Sequence, residues 1–431
     1  MHIPHVKSNG QGGADSTDAS PRPDPAPLGI YVHFPWCLTK CPYCDFLSVP
    51  LAPRAAGGEA RALSGADERE VRNKVPHRAY ADAVLRELRA RQDVLVGRPI
   101  RSVFFGGGTP SLWEPEELGR VLEALQELAG GSLEEVTVEG NPSSLDERQV
   151  EGLVAVGVQR FSVGIQSLDA GRLAFLGRAH DTQESERAVR AAVRSGRRVS
   201  ADLIYGVHGQ SPEMALEEVR GVLSFGPGHL SAYSLTVEDN TRFGSLHRRG
   251  RLPLLQDDLV AETYWLLHEE LTGRGFEHYE ISNYALPGQR SLHNEGYWQG
   301  NDYLGLGVGA VGTVSLGGSR LRYKNHISVE RYLSAYGSSE PEAPFDEELH
   351  EREWLTPEIS IGESILLGLR TKAGIDLDFE GERRGVDPWT PERTKAAASL
   401  EARGLLRRDG TRLTIPEAKW MLADRVIREL Y

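Results

Sequence analysis

Residues 31–46 read YVHFPWCLTKCPYCDF, and they contain all three cysteines of the 431-residue chain, Cys37, Cys41 and Cys44. With no fourth cysteine anywhere, these thiols make neither two disulfides nor a four-cysteine metal site. Three thiolates do suffice to hold three irons of a 4Fe-4S cluster and leave the fourth iron open to a substrate or cosubstrate. The competing reading is a zinc site of the three cysteines with His33, which lies four residues before Cys37. Zinc knots usually present their ligands as two close pairs, which this spacing does not.

Outward from that loop, the chain from Gly29 to about Arg274 alternates short β-branched or aromatic runs with amphipathic helical patterns. That order predicts parallel βα units. The expected strands are 30–33, 102–105, 135–138, 160–163, 199–204 and 229–235. Between them, 115–129 predicts a helix whose stripe is Leu118, Val121, Leu122, Leu125 and Leu128, opened by Pro115 in its first turn. A second helix starts at Ser211-Pro212 and uses Leu216, Val219 and Leu223. Six such units make three-quarters of a TIM-like barrel, in which reactive groups collect beyond the C-terminal ends of the strands. The unusual residues fall there. The cysteine loop follows the first strand, Gly106-Gly107-Gly108-Thr109-Pro110 the second, Glu139-Gly140-Asn141-Pro142 the third and Gly164-Ile165-Gln166-Ser167 the fourth, and Asp202 lies on the fifth.

The balance of 39% apolar and 26% charged residues describes an ordinary globular chain of two or three domains. No apolar run has the length to cross a bilayer, and the N-terminus lacks the pattern of a secretory signal, so the cytoplasm is the expected compartment. A net charge of −13 argues against broad phosphate-backbone binding and hence against a nucleic-acid partner. Residues 1–27, rich in Gly, Pro, Ser and Asp, read as a disordered tail. A low-complexity insertion at 48–76 follows the cysteine loop. The remaining divisions expected are a barrel over 28–275, a linking region over 276–357 and a C-terminal domain over 358–431.

The spacing Cys-x3-Cys-x2-Cys, with Tyr43 before the last cysteine, resembles the cluster loop of the radical S-adenosylmethionine (SAM) superfamily. Together with FFGGGTPSL, Glu139-x-Asn141-Pro142, RFSVGIQSLDAGRLAFLGRAH, ADLIYG and NYALPGQRSLHNEGYW followed by YLGLGVGA, it resembles the coproporphyrinogen-III-oxidase-like (HemN/HemW) branch, most closely the HemW heme chaperones. The resemblance runs from about Leu28 to the C-terminus and implies an α/β fold: a partial (βα)6 radical SAM barrel with a C-terminal extension. It implies that Cys37, Cys41 and Cys44 ligate a 4Fe-4S cluster. Tyr31, Tyr43, Gly107, Gly108, Thr109, Glu139, Gln166, Arg178 and Asp202 match SAM-contacting positions. In such a site Glu139 would accept the ribose hydroxyls and Arg178 would pair with the SAM carboxylate as a planar fork. The glycine turn would hold the methionine end. Acid residues at strand ends also serve as caps or salt-bridge partners, and that reading stays open for Glu139 and Asp202.

Two features separate the sub-branches. The dehydrogenases carry a further cysteine two residues beyond the third ligand, where this chain has Phe46. His293-Asn294-Glu295-Gly296-Tyr297-Trp298 matches the His-Asn-x-x-Tyr-Trp motif associated with heme in the HemW group, which makes His293 a candidate axial ligand. The alternative is a structural turn. Departures from the family pattern are His208, where relatives have Pro, and Val311, where many have His; they leave the heme-ligand set open.

At the C-terminus, helices over 361–369 and up to Gly404, strands around Gly410 and a last helix from Glu417 predict a winged-helix-like module. Such modules often read DNA, but residues 376–431 carry eleven basic and eleven acidic side chains. Packing or partner docking is therefore favoured over a nucleic-acid role. The function implied is a SAM- and cluster-binding chaperone that takes up heme and passes it to hemoproteins, membrane respiratory proteins among them, from the cytoplasm or the membrane periphery. The alternatives are an oxygen-independent coproporphyrinogen III dehydrogenase and, third, a zinc-bound scaffold. Dimerisation is left open.

Overall fold

A computed structural model of the chain describes residues 27–52, 70–131, 133–337 and 344–431. The expected tail lies outside the described residues but for Pro27, as does the centre of the expected 48–76 insertion. Six parallel strands follow one another across a sheet: β1 (Leu28–Phe34), β2 (Ile100–Gly107), β3 (Glu135–Gly140), β4 (Arg160–Gln166), β5 (Arg198–Tyr205) and β6 (His229–Ser234). Each contains its expected counterpart almost entirely and extends it by a residue or more, except that β6 stops at Ser234.

Alternation along these strands makes the fold two-faced, because successive side chains point to opposite sides. Ile30, Val32, Val103, Phe105, Val136, Val138, Phe161, Val163, Val199, Ala201 and Leu230 are buried in one continuous core. The intervening positions include the polar or small Gly29, Ser102, Glu135, Arg160, Ser162, Ser200 and Asp202, and the aromatic Tyr31 and Phe104. The helices cover the apolar side. Helix Pro115–Leu128 buries Leu118, Val121, Leu122 and Leu125 as expected, whereas Leu128 is exposed because the helix ends at that residue. Asp146, Asp181 and Ser211 accept backbone N–H bonds at the starts of the next helices, the groups that otherwise lack partners at a helix N-terminus.

Residues 276–357 extend this sheet. β7 (Glu277–Glu280) and β8 (Asn283–Ala285) continue it beyond β6. On the other side β9 (Tyr303–Leu306) lies parallel to β1, and β10 (Val311–Leu316), β11 (Ser319–Asn325) and β12 (His350–Leu355) follow antiparallel. Among the described residues the sheet thus has twelve strands in the order β12-β11-β10-β9-β1-β2-β3-β4-β5-β6-β8-β7. The C-terminal part has its own core around Ile365, Leu400, Leu413, Trp420 and Val426. Its helices Pro357–Gly368, Leu377–Arg384 and Pro391–Ala402 precede a wing of Arg407–Asp409 and Arg412–Thr414, to which Ile375–Asp376 adds a third strand. The expected last helix starts as a 3-10 turn at Glu417 and becomes α-helical at Ala423. No helix among the described residues is long and apolar enough to cross a membrane.

A fully buried ion pair joins helix His77–Ala90 to the added strands. Glu87 and Arg91 approach to 2.6 Å with both side chains 0% exposed. The carboxylate accepts from Gly307 N at 2.7 Å and Asn325 Nδ2 at 2.6 Å, and the guanidinium donates to the carbonyls of Gly305 and Pro344. Removing one charge strands the other in the core, which costs about 3–5 kcal/mol. Glu87→Gln should lower the urea-unfolding free energy by about that amount, and an unchanged midpoint would show that the pair adds nothing.

Candidate active site

The cysteine loop leaves β1 at Phe34 and is pinned to the sheet by backbone bonds. Gly108 N donates to Phe34 O at 2.7 Å and Thr109 N to Trp36 O at 2.8 Å, while Trp36 and Cys37 pair in parallel with Val49 and Pro50. The close approach explains Gly108: a Cβ there would lie 2.6 Å from the Trp36 carbonyl oxygen. Gly107 holds φ of +108°, and a Cβ would strike the His33 ring at 2.4 Å, so only glycine fits. Its amide donates to Glu139 Oε2 at 3.1 Å. The amides of Gly107, Gly108 and Thr109 are therefore all engaged within the protein.

Side chains tie the thiols to three strand ends. Thr109 Oγ1 donates to Cys37 Sγ at 3.4 Å and accepts from Asn141 Nδ2 at 3.0 Å. Asn141 Oδ1 accepts from Arg178 Nη2, which also donates to Gly164 O at 2.8 Å, and Arg178 Nη1 donates to Cys41 Sγ at 3.4 Å. One relay thus runs Cys37, Thr109, Asn141, Arg178, Cys41. Arg178 Nε is buried with no hydrogen-bond partner, a donor that a native interior seldom leaves idle. All three cysteines are free. Burial pushes the Cys37 thiol up to about 11, against the Thr109 bond that favours its thiolate, and burial followed by the Cys41 charge pushes Cys44 up to about 12. Tyr43 packs on Phe243 with ring centroids 6.4 Å apart, and its hydroxyl is raised by burial and then by the Cys41 charge.

The carboxylates lie on the polar face below this relay. Burial pushes Glu139 up to about 7, the Gly107 amide opposing and Asp202 adding to the rise. Asp202 is also raised by burial although Ser162 and Ser200 donate to it at 2.9 and 3.1 Å. Gln166, at the end of β4, is the one non-glycine residue with positive φ among those described, at +69°. Such backbone persists where surroundings over-determine it, often beside ligands. Tyr31 stacks on Phe104 with centroids 6.3 Å apart. His33 Nε2 faces the Leu47 carbonyl at 3.0 Å and must donate to it, so Nδ1 accepts the Tyr31 hydroxyl, also at 3.0 Å. Both ring nitrogens of His33 are thereby occupied.

His293 lies elsewhere. Gly29, Ser102 and Glu135 are paired neighbours near the starts of β1, β2 and β3, the end opposite the cysteine loop, and His293 packs on this row. Its Nδ1 meets Ser102 Oγ at 2.9 Å, and its ring stacks on Phe104 with centroids 5.0 Å apart and meets the edge of Tyr297 at 4.9 Å. The motif His-Asn-x-x-Tyr-Trp is a short helix, Leu292–Trp298, whose N-terminal amides at Leu292 and His293 donate to the Glu135 carboxylate at 3.0 Å each. The ring is 3% exposed, its Nε2 is buried and unpartnered, and burial pushes it down to about 4, so it is neutral. A macrocycle reaches that nitrogen only if the helix undocks. Val311 sits at the start of β10, and His208, on the loop after β5, is exposed.

Sequence reasoning passed over Asn141 as a functional side chain, although its position immediately after β3 was the available signal. Glu135 was missed for lack of one, since only the fold brings helix 292–298 to it. Thr109→Val removes the hydroxyl shared by Cys37 and Asn141 while keeping the shape, and leaving Asn141 without its acceptor costs about 1–3 kcal/mol. The urea midpoint of the cluster-free chain should fall accordingly; no change would detach Thr109 from the relay.

Comparison with known proteins agrees with this fold. Residues 31–220 match the Radical SAM superfamily and residues 355–422 the HemN C-terminal domain. The heme chaperone HemW of Escherichia coli is 36% identical over 74% of this chain and 81% of its own length. HemW of Mycobacterium tuberculosis is 34% identical over 94% of this chain and 95% of its own. The solved coproporphyrinogen III oxidase HemN of Escherichia coli shares the fold, with a TM-score of 0.73 at 19% identity, covering 95% of this chain and 91% of that one. The cysteine loop on a six-stranded parallel sheet, the C-terminal module and these relatives together show that the chain belongs to the HemN/HemW branch of the radical SAM superfamily, alongside the HemW proteins.

Proposed function

We propose that the chain is a heme chaperone that binds a 4Fe-4S cluster and SAM and delivers heme to hemoproteins. The observation that carries the cofactor reading is the relay from Cys37 to Cys41 through Thr109, Asn141 and Arg178. Its donor set fits: three free thiols in one loop beside a half-buried guanidinium whose buried Nε is idle. Cys37, Cys41 and Cys44 would hold the cluster, which when bound supplies an open iron and a low-potential electron. Arg178 would meet the SAM carboxylate and Glu139 the ribose hydroxyls, with Tyr31, Tyr43, Gln166 and Asp202 lining the site. Because the amides of the glycine turn are spent on Glu139, Phe34 and Trp36, a ligand contact by Gly107 and Gly108 falls to carbonyl oxygens, suited to a protonated amine. The occupied nitrogens of His33 weigh against a zinc site of three cysteines and histidine.

The chaperone reading rests on the HemW relatives and on Phe46, which stands where the dehydrogenases have their additional cysteine and is exposed. Incubating the cluster-loaded chain anaerobically with SAM, a reductant and coproporphyrinogen III should yield no protoporphyrinogen IX. The same chain should take up added heme with a shifted Soret band. Appearance of protoporphyrinogen IX would establish the dehydrogenase instead, and iron and sulfide below one cluster per chain would undo the cofactor reading.

Glu139 gives that site a pH signature. Its folded value lies near 7, so the carboxyl is protonated below that pH and a full acceptor above it. SAM affinity, followed by equilibrium dialysis, should strengthen as pH rises from about 6 to 8. Glu139→Gln should bind more weakly and lose that slope; a slope unaltered by the substitution would assign the titration to another group.

A further inference from the structure

Remote from the cysteine loop, on the edge strand of the sheet, two histidines and a carboxylate converge across the seam between the sheet and the C-terminal module. His268 lies on helix Asp257–Gly273, His278 on β7, and Glu417 opens the 3-10 turn Glu417–Leu422. His268 Nδ1 and His278 Nδ1 face each other at 3.0 Å, and Glu417 Oε1 lies 3.9 Å from the first and 3.7 Å from the second. We propose that these three side chains bind one divalent transition-metal ion of the zinc class.

The separations carry the argument. An ion that binds nitrogen and oxygen at about 2.0–2.2 Å with tetrahedral angles sets its ligand atoms about 3.3 Å apart. The three distances straddle that value, and the ligand atoms all lie within 4.8 Å of one another. The carboxylate stops too far from either nitrogen for a direct hydrogen bond. The two imidazoles are within hydrogen-bond distance of each other, but the carboxylate is beyond that reach of both, whereas one shared ion would engage all three.

The protonation state of His278 points the same way. Its Nε2 lies 3.0 Å from the Ile281 carbonyl, which only accepts, so the proton sits on Nε2 and the lone pair of Nδ1 is aimed at His268 and Glu417. Holding a ligating imidazole by a backbone carbonyl on its far nitrogen is the usual support for a metal-bound histidine. The ring cannot swivel: it stacks on Tyr284 with centroids 4.0 Å apart and planes 12° apart, and meets the edge of Trp420 at 4.5 Å. Two imidazoles and one carboxylate form a nitrogen and oxygen site that suits Zn2+ and leaves a fourth position for water. It differs in donor chemistry from the thiol loop.

Such an ion would fasten the module to the sheet. The seam already has Arg370 on Glu280 at 3.0 Å, Ile281 N on Arg370 O at 3.1 Å and Trp420 against His278. The metal would add a fourth tie there, and its occupancy would set how firmly the module docks. This inference is independent of the heme reading.

The test uses the full cluster-loaded chain, stripped of loosely held metal and titrated with Zn2+ by calorimetry, beside Glu417→Gln and His268→Asn. Both positions are partly exposed, so both variants should keep the wild-type circular dichroism. Wild type should bind one Zn2+ and unfold at a higher temperature with it. Each variant should bind at least tenfold more weakly and lose the thermal gain. Equal stoichiometry and affinity in all three proteins would overturn the proposal. A readout free of variants is Co2+ absorption by the wild type. Visible bands of nitrogen and oxygen coordination would support the site, whereas thiolate-to-cobalt absorption alone, or no bands, would refute it.

Discussion

Arg178 is the tie on which the site depends. Its guanidinium reaches the Cys41 thiol, the Asn141 amide and the Gly164 carbonyl together, so the loop after β1 is bound to the ends of β3 and β4 by one side chain. Thr109 closes the circuit from β2 to Cys37. Only a planar fork with several donors spans so many acceptors; a lysine ammonium in the same place is a point charge on a flexible stem. A half-buried cation is tolerable when its donors are matched, and of its three nitrogens Nε is the one without a partner. The site is thus held in shape by the protein and still has one donor to offer.

That arrangement needs strands whose two faces do opposite work. The buried side of β1 to β6 is apolar and carries the helices, while the other side collects Ser102, Glu135, Glu139, Arg160, Ser162 and Asp202. In a closed barrel both faces are enclosed and the interior is packed with side chains. Here the sheet instead runs on past β6 to β8 and β7, and past β1 to β9 and its antiparallel neighbours. Burial on the polar face still suffices to raise Glu139 and Asp202, so this face has the water-poor character in which charged contacts count.

The two ends of the sheet have different chemistry. Beyond the strand C-termini lie thiols, an arginine, carboxylates and the strained Gln166. At the strand starts, helix Leu292–Trp298 is drawn in by Glu135, whose carboxylate meets two helix N-terminal amides, the charge a helix N-terminus favours. The His-Asn-x-x-Tyr-Trp motif is spent on that closure: His293 wedges against Phe104, Tyr297 against Tyr303, and Trp298 against Tyr279. The proposed heme role therefore does not rest on His293 in this docked position, where its Nε2 is buried.

Much was legible along the chain because strand alternation, helical stripes and the glycine and cysteine motifs are local. The six parallel strands, the helix over 115–128 and the winged module follow from residue order, as does the gathering of motifs beyond strand ends, since parallel connections put every such loop on one side. Contacts between residues far apart in sequence were not legible. The sharing of Asn141 between Thr109 and Arg178, the occupation of both His33 nitrogens, the burial of His293 against Ser102 and the meeting of His268 and His278 with Glu417 were decided only by tertiary packing. The physical reason is that a sequence prescribes which groups a segment carries and which face they take, whereas their partners, solvation and protonation are set by whichever distant segment comes to lie against them.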